Sequence, residues 1–462
     1  MHEVSGYADR HEDNAPVSDG SSALLAQSPG PGSGTKPPNI VFLISDDHSW
    51  PDLGCFGNTA VTTPNLDKMA GEGMRLGGCF VTSPQCSPNR SSIFTGCAPH
   101  TTATSRLHTP LPDWEPTIID LLKERGYHTG LFRKHHQGAG FQKRLDFYGA
   151  AGVPFARFFE TAPQGKPFFL QVGFTDPHRP YRAGAFEPPH DPAKVRVPDF
   201  LPDRPEVRQD LAHYYDFIAR MDRECGQVFQ LLHAHGHGEN TLVMMTGDNG
   251  LPFPRAKGTC YDAGLHVPLL AWWPGVIAPG GANNDLIAHV DLPATWLEAA
   301  GVARPRKMQG QSFLPALRGQ SYTKREAVFS ERNWHDNFDP IRAVRTARHK
   351  LIFNAAPHFP YRPAWDLEQS PAWAAMQQMS RRGGLTARQA SLFAPSRPMV
   401  ELYDLERDPG EWNNLAGDPA HQAIEIDLTR QLSNWMHATC DYLPPGMPAG
   451  GEPQGRGWPM SL

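Results

Sequence analysis

Nowhere in the 462 residues is there a run of about 20 apolar side chains, so no membrane-spanning helix is expected. The first residues are poor in apolar side chains as well. Their one patch is Ala23-Leu24-Leu25-Ala26, and the charged start and apolar stretch of a secretory signal are missing. A cytoplasmic location is expected on that ground, with the periplasm or the exterior as the alternative if the N-terminus is a processed one. Cysteine is scarce and scattered: the seven residues at 55, 79, 86, 97, 225, 260 and 440 form no C-x-x-C pair and indicate neither a zinc site nor a disulfide framework. Positive charge is not in excess. Lys and Arg total 43 against 48 Asp and Glu, and a net charge of -5 argues against nucleic acid as a partner. No internal repeat stands out.

What is present is an ordinary globular composition, 39% hydrophobic and 20% charged, with 21 His and 46 Pro as the unusual counts. The length is enough for a large core and more than one domain. Residues 1–36, rich in Ser, Gly, Pro and acidic side chains, read as a disordered leader. The remainder divides into a large domain over 37–325 and a smaller one over 326–462.

Within the large domain, apolar runs alternate with amphipathic stretches. Asn39–Ser45, Thr129–Phe132, Phe168–Phe174, Thr241–Thr246 and Gly264–Leu270 read as buried strands. Helices are expected from Thr63 as N-cap and Pro64 in the first turn, from Pro116 to Arg125 before Gly126, and from Glu206 to about His235. This rhythm implies an α/β fold with a mixed, mostly parallel sheet flanked by helices. Polar residues collect where the strands end: Asp46-Asp47, then Lys134 and His136, then Asp176 and His178, then Asp248-Asn249. Ligands of open α/β sheets bind beyond the carboxyl ends of the strands, so the coincidence points to one site. Adjacent carboxylates such as Asp46 and Asp47 repel unless a cation lies between them. With Asp248 and Asn249 they make an all-oxygen set suited to calcium rather than zinc. On an extended segment Lys134 and His136 share a face and can enter one pocket.

A second focus is Cys86-x-Pro88-x-Arg90, followed by Ser91-Ser92-Ile93-Phe94-Thr95-Gly96. The serine pair reads as a capped helix start, which puts Cys86 just before a helix N-terminus with a fixed cation one turn away. Such a place favours an anion.

These residues resemble the motif of the type I sulfatases, of the alkaline-phosphatase-like superfamily. Other segments resemble the same family in the same order: Thr63-Pro64-Asn65-Leu66-Asp67, Lys134-x-His136-x-Gly138, Gly264-Leu265-His266-Val267-Pro268-Leu269, and Glu401-Leu402-Tyr403-Asp404. Arg133 stands where the family pattern has glycine. The resemblance implies that Cys86 is oxidised to formylglycine by a maturation enzyme, and that Arg90 anchors its hydrate. It implies one calcium ion held by Asp46, Asp47, Asp248, Asn249 and the modified Cys86. Lys134, Lys257 and His178 would grip the sulfate, and His136 would take a proton so that sulfate is expelled. The stretches around Asp176 and Asp248 look most like the heparan N-sulfatase (sulfamidase) branch.

Beyond Leu314 short strands at Ala327–Phe329, Arg342–Arg345, Lys350–Phe353 and Glu401–Asp404, closed by a helix from about Ala420 to Ala438, imply an α+β domain with a small antiparallel sheet. The Trp-, Pro- and Arg-rich insert from Ala356 to Pro398 has no clear periodicity and is expected to wall the cleft. The expected function is hydrolysis of a sulfate ester or sulfamate of a sulfated saccharide, N-sulfoglucosamine preferred, with Asp176, His100, His108, Trp334 and His335 as candidate sugar contacts. Two alternatives stay open: a phosphonate monoester hydrolase or phosphodiesterase on the same scaffold, and an inactive carbohydrate-binding relative with Cys86 unmodified.

Overall fold

Asn39–Ser45 alternates its side chains between two cores. Ile40, Phe42 and Ile44 enter one and Val41 and Leu43 the other, so a strand covered on both faces has to be apolar throughout. The computed structural model describes residues 36–441, and the leader expected over 1–36 lies outside them but for its last residue. In chain order the strands are β1 (Asn39–Ser45), β2 (Met74–Leu76), β3 (Cys79–Phe80), β4 (His128–Arg133), β5 (Phe147–Gly149), β6 (Phe168–Gly173) and β7 (Thr241–Gly247). They continue with β8 (Leu269–Trp272), β9 (Gly281–Asn283), β10 (Ile287–Ala288), β11 (Ala327–Trp334), β12 (Phe338–Thr346), β13 (His349–Asn354) and β14 (Val400–Asp404).

Eight of them form one sheet in the order β5-β4-β6-β1-β7-β8-β2-β9. From β5 to β7 all neighbours run parallel, and β8 reverses the direction. The parallel strands β4, β6, β1 and β7 therefore present their carboxyl ends along one edge. On one face Phe42 packs against the fully buried Trp296 with ring centroids 4.7 Å apart. Truncating so buried an aromatic typically costs about 3–5 kcal/mol. On the other face the Pro205–Ala234 helix sets Val207, Leu211, Tyr214, Ile218, Met221, Cys225 and Val228 toward the sheet at helical spacing.

The sequence expectations hold for most elements, and the exceptions have physical reasons. The helix that carries the nucleophile motif begins at Cys86 itself and runs to Thr95, so Ser91 and Ser92 are interior; Ser91 Oγ bonds back to the Ser87 carbonyl. Thr63 does occupy the N-cap before Pro64–Glu72, but its hydroxyl bonds Asp67 and the Gly54 amide instead of capping. The run Gly264–Leu270 is not one strand. Asp262–Leu265 is a helical turn and only Leu269–Trp272 joins the sheet, because the Pro268 ring cannot donate to a ladder.

Strands β11 to β14 form a separate antiparallel sheet, backed by Leu428 and Leu432 of the Gln422–Ala438 helix. Its first strand is stitched to the segment leading to Cys86: Ser330 Oγ donates to the Val81 carbonyl at 2.7 Å and the Glu331 amide to the Thr82 carbonyl at 2.9 Å. The insert between β13 and β14 contains a regular helix, Pro371–Arg382, capped by Ser370 and packed on the Pro205–Ala234 helix. Its periodicity is Ala372, Trp373, Ala375 and Met376, a stripe one and a half turns long and diluted by polar neighbours.

Behind the nucleophile helix lies a buried polar staple. Asn89 Nδ2 donates to the Asp248 carbonyl at 2.7 Å and lies 2.8 Å from His289 Nδ1, whose Nε2 is 3.2 Å from Thr246 Oγ1. With Asn89 as donor, His289 Nδ1 is the acceptor and the ring is neutral. Burial, with the Arg90 charge adding to it, pushes the His289 pKa down to about 3. The unfolded chain binds a proton near pH 6.5 that the folded chain refuses, so this contribution is complete above about pH 6.5 and is lost as pH falls toward 3, at about 1.4 kcal/mol per pH unit. We expect His289→Gln to flatten the dependence of unfolding free energy on pH between 6.5 and 4 in urea titrations. Parallel curves for the two proteins would refute the assignment.

Candidate active site

The edge formed by the carboxyl ends of β1, β6 and β7 is tied together before any side chain is counted. The Asp46 amide donates to the Asp176 carbonyl at 2.9 Å and the Asp248 amide to the Ser45 carbonyl at 3.1 Å. The Asp47 amide donates to Asp248 Oδ1 at 2.9 Å. Asp47 turns with φ 66°, which directs the two adjacent carboxylates into one buried space. Asn249 Nδ2 reaches Asp47 Oδ1 at 2.7 Å, leaving the Asn249 oxygen pointed at Cys86.

Cys86 is the point on which these oxygens converge. Its Sγ lies 3.4 Å from Asp46 Oδ1, 3.5 Å from Asn249 Oδ1 and 4.0 Å from Asp47 Oδ1. Asp46, Asp47, Cys86 and His178 each bring one ligand atom to within 4.8 Å of one another. Burial drives the Cys86 thiol well above its usual range, Lys134 offsets part of that, and Asp248 and Asp46 add to it. The unmodified side chain is therefore a thiol and a poor nucleophile at neutral pH.

Three cations face the three carboxylates. Arg90 donates from Nε to Asp248 Oδ2 at 2.8 Å and from Nη1 to the Lys134 carbonyl at 3.2 Å, while its buried Nη2 has no hydrogen-bond partner. Lys134 binds Asp46. Lys257, 1% exposed, contacts Asp47 Oδ2 at 2.8 Å, Asp366 Oδ2 at 2.8 Å and His178 Nε2 at 3.1 Å. Burial raises the Asp46 pKa, but Lys134, with His178, Arg90 and Lys257, outweighs it and holds the carboxylate well below its usual range.

Residues 133–136 reach the site differently from the extended segment expected. Arg133 and His136 both have positive φ, 62° and 63°, so the chain kinks on either side of Lys134. The kink fits closely under β6, where a Cβ on Gly173 would lie 1.9 Å from the Lys134 carbonyl oxygen. Arg133, in the family's glycine position, offsets its strained backbone by a paired contact with Glu224 at 2.6 and 2.8 Å and by stacking 5.0 Å over Phe155. As a result Lys134 and His136 enter neighbouring recesses, not one pocket. His136 opens on the main cleft, where its Nε2 lies 2.6 Å from His108 Nδ1, and burial together with Lys134 lowers its pKa to about 2.

That cleft has a volume of about 660 Å³ and is lined by Cys86, His108, His136, His178, Lys257 and His335, with Trp365 and Asp366 of the insert on the opposite wall. The insert thus walls the cleft as expected. A second recess of about 410 Å³ is lined by Asp46, Lys134, Asp176, Arg182 and Arg220; there Asp176 is held by Arg220 at 2.7 Å through both oxygens. Of the candidate sugar contacts, His108 and His335 line the cleft. His100 does not: it is buried against Glu331 and the edge of Trp435. Trp334 does not line it either, since its ring is covered by Arg106 and Phe338. Asp366 was missed because a single acidic residue in an aperiodic insert carries no pattern. Arg179, next to His178, was missed as well; it lines the cleft together with the buried Asp210, to which it is paired at 2.7 and 2.8 Å.

Comparison with known proteins agrees with this geometry. The sulfatase family model matches residues 38–160 and 152–302, and the model of the N-sulphoglucosamine sulphohydrolase C-terminal region matches 255–375. The chain is 29% identical to human N-sulphoglucosamine sulphohydrolase, over 88% of this chain and 91% of that one. It is also 29% identical to an ulvan-active sulfatase of Formosa agariphila, over 87% of this chain and 75% of that one. Among solved structures, a protein in complex with its substrate D-glucosamine-2-N,6-O-disulfate has a TM-score of 0.68 at 19% identity, covering 88% of this chain and 99% of that one. A phosphonate monoester hydrolase of Agrobacterium radiobacter has a TM-score of 0.67 at 17% identity, covering 87% and 96%. Both show the same alkaline-phosphatase-like fold. A family model that spans more than half of the sequence, laid over strand ends that gather the motif residues around one cysteine, establishes that the chain belongs to the sulfatases, the hydrolases of sulfuric esters.

Proposed function

We propose that the chain removes sulfate from a sulfated carbohydrate, an N-sulfoglucosamine-type sugar in preference to an O-sulfated one, using formylglycine made from Cys86 and one calcium ion. The observation that carries this reading is a Cys86 thiol ringed by oxygens together with a buried Arg90 Nη2 that makes no hydrogen bond and only a 4.0 Å contact with Asp46 Oδ1. A thiol in that ring serves no nucleophilic purpose, whereas an oxygen-bearing side chain at Cys86 gives Arg90 the acceptor it lacks. The donor set fits calcium, because Asp46 and Asp47 bring carboxylate oxygens together at Cys86, Asn249 Oδ1 faces the same point, and the buried Asp248, bonded to the Asp47 amide and Arg90, adds a fourth hard oxygen residue beside them. Such an ion, when bound, supplies charge that polarises a sulfate oxygen and lowers the pKa of a bound hydroxyl.

The remaining work belongs to named side chains. Lys134, Lys257 and His178 bind the sulfate oxygens and neutralise the charge that builds on them. Arg90 orients the modified Cys86. His136 opens on the cleft and takes the proton at the step that releases sulfate; burial and Lys134 lower its pKa in the free site, and the negative charge of a bound sulfate works against that lowering. The net reaction consumes one water and yields the alcohol or amine, sulfate and a proton. Preference for the N-sulfated sugar is supported by the human relative's described activity and by the matching C-terminal model. A maturation enzyme is the partner this chemistry needs, and the division of the chain near residue 326 remains part of the same proposal.

Peptide mass spectrometry of active protein should find the Cys86 peptide lighter by the difference between a thiol-bearing methylene and an aldehyde. Cys86→Ala should lose at least about 10³-fold in kcat, as nucleophile removals do. A fully thiol Cys86 in an enzyme that turns over sulfated sugars, aryl sulfates or phosphonates would sink the nucleophile. In a substrate panel, a phosphonate preferred by more than about tenfold in kcat/KM, roughly 1.4 kcal/mol, would move the assignment to phosphoryl transfer.

Calcium is tested separately. Elemental analysis should return calcium and not zinc, and a chelator should lower both the thermal midpoint and the activity, with calcium restoring them. Asp248→Ala should abolish turnover and, by leaving the buried Arg90 without its carboxylate, lower the thermal midpoint of a chain that still folds. An active preparation free of divalent metal would contradict the site.

A further inference from the structure

A lysine ammonium has three hydrogens to donate, and all those of Lys257 are in use. Its partners are Asp47 Oδ2 at 2.8 Å, Asp366 Oδ2 at 2.8 Å and His178 Nε2 at 3.1 Å. A sulfate oxygen can take Lys257 only by displacing one of them. Asp47 is fully buried beneath the site, whereas the Asp366 side chain is 18% exposed on the cleft wall and arrives from the insert. Its Oδ2 is also 3.6 Å from His178 Nε2. An internal carboxylate thus stands against two of the groups that grip the substrate's anion.

The insert holds Asp366 there firmly. The Trp365 amide donates to Asp336 Oδ2 at 2.7 Å, Leu367 is fully buried, and the following helix is capped by Ser370. The neighbouring cleft residue His335 directs Nδ1 at Asp336 Oδ2, 2.7 Å away, so that nitrogen carries a proton and the ring is held with Nε2 turned away from Asp336. His335 Nε2 is buried and has no partner. Once a sulfate has taken Lys257, the cleft wall therefore presents Asp366 without the ammonium that held it, beside a His335 Nε2 that has no partner.

Resting on the sulfatase reading above, we infer that Asp366 determines specificity by competing with the sulfate for Lys257, so that the grip is surrendered only to a ligand that brings hydrogen-bond donors beside its sulfur. A sulfated amino sugar supplies them from its hydroxyl and amino groups and satisfies the Asp366 carboxylate. Free sulfate and simple aryl sulfates do not. They leave Asp366 ionised next to a second anion, which is unfavourable in a half-buried cleft. The same residue weakens the hold on the product, because inorganic sulfate lacks the donors of the sugar that has left.

The test compares wild type with Asp366→Asn, which keeps the shape and removes the charge, and Asp366→Glu, which keeps the charge. Asp366→Ser is the second neutral variant should the first be recovered unfolded. Inorganic sulfate binding is measured by calorimetry and by inhibition, and kcat/KM is measured for N-sulfoglucosamine and an aryl sulfate. We expect the neutral variant to bind sulfate at least about tenfold more tightly and to lose at least about tenfold in the ratio of sugar to aryl turnover, with the glutamate variant near wild type in sulfate affinity. Unchanged or weaker sulfate binding in the neutral variants overturns the inference. So does an equal fall in both substrates with weaker sulfate binding, which would make Asp366 a positioning residue for Lys257. If wild type turns over only phosphonates, the sulfatase reading fails, while the sulfate affinities of the variants still decide the role of Asp366.

Discussion

Everything at the strand ends depends on mutual neutralisation of charges that are each untenable alone. Asp46, Asp47 and Asp248 are removed from water together with Arg90 and Lys257, and Lys134 completes the set from a side chain that is 19% exposed. Desolvating any one of them costs several kcal/mol, and breaking a buried pair by removing one partner typically costs about 3–5 kcal/mol. The arrangement is thus stable only as a set, and the sheet exists in part to hold the set. Parallel strands with backbone bonds between their ends fix the carboxylates, and a helix that is buried along its whole length fixes Arg90 and Cys86.

The second sheet has a supporting role that its distance in sequence conceals. Strand β11 bonds to Val81 and Thr82, and its end delivers His335 and Asp336 to the cleft. Lys350 of β13 is fully buried between Asp262 and Glu411, close to the turn that follows the Lys257 segment. Buried charge pairs of this kind are a weak source of stability, and this one ties β13 of the second sheet to the Asp262 turn and to Glu411. The insert between β13 and β14 then crosses back to the substrate side. One excursion of the chain therefore supplies both the wall of the cleft and the carboxylate that tempers its grip.

Much of this was legible in the sequence, and the division between legible and illegible follows from physics. Strands buried on both faces need continuous apolar runs, so β1, β6 and β7 and the polar residues at their ends stand out without any structure. The C-x-P-x-R spacing located Cys86 and Arg90 because the chemistry leaves little freedom there. What could not be read was conformation set by tertiary contacts. Arg133 adopts a left-handed backbone that glycine usually fills, and it does so only because Glu224 and Phe155, far away in sequence, receive its side chain. His100 looked as available to a sugar as His108, yet a salt bridge to Glu331 removes it from the cleft. Asp366 becomes meaningful only when the insert folds against Lys257.

The burial of Cys86 also sets an order of events. The residue opens a helix with all ten positions buried, and only 3% of its own surface is exposed. An enzyme that converts its thiol has to bind several residues on either side of it, and in the folded chain those residues are inside. The segment after β3 is moreover held by a strand that is synthesised some 240 residues later, since Val81 and Thr82 bond to Ser330 and Glu331. On the formylglycine reading proposed above, modification would belong to the interval between the emergence of Cys86 and the closure of β11 over it. On the same reading, a chain that folded first would keep the thiol at a position only 3% exposed, and its activity would be decided by a race of rates rather than by the stability of the finished protein.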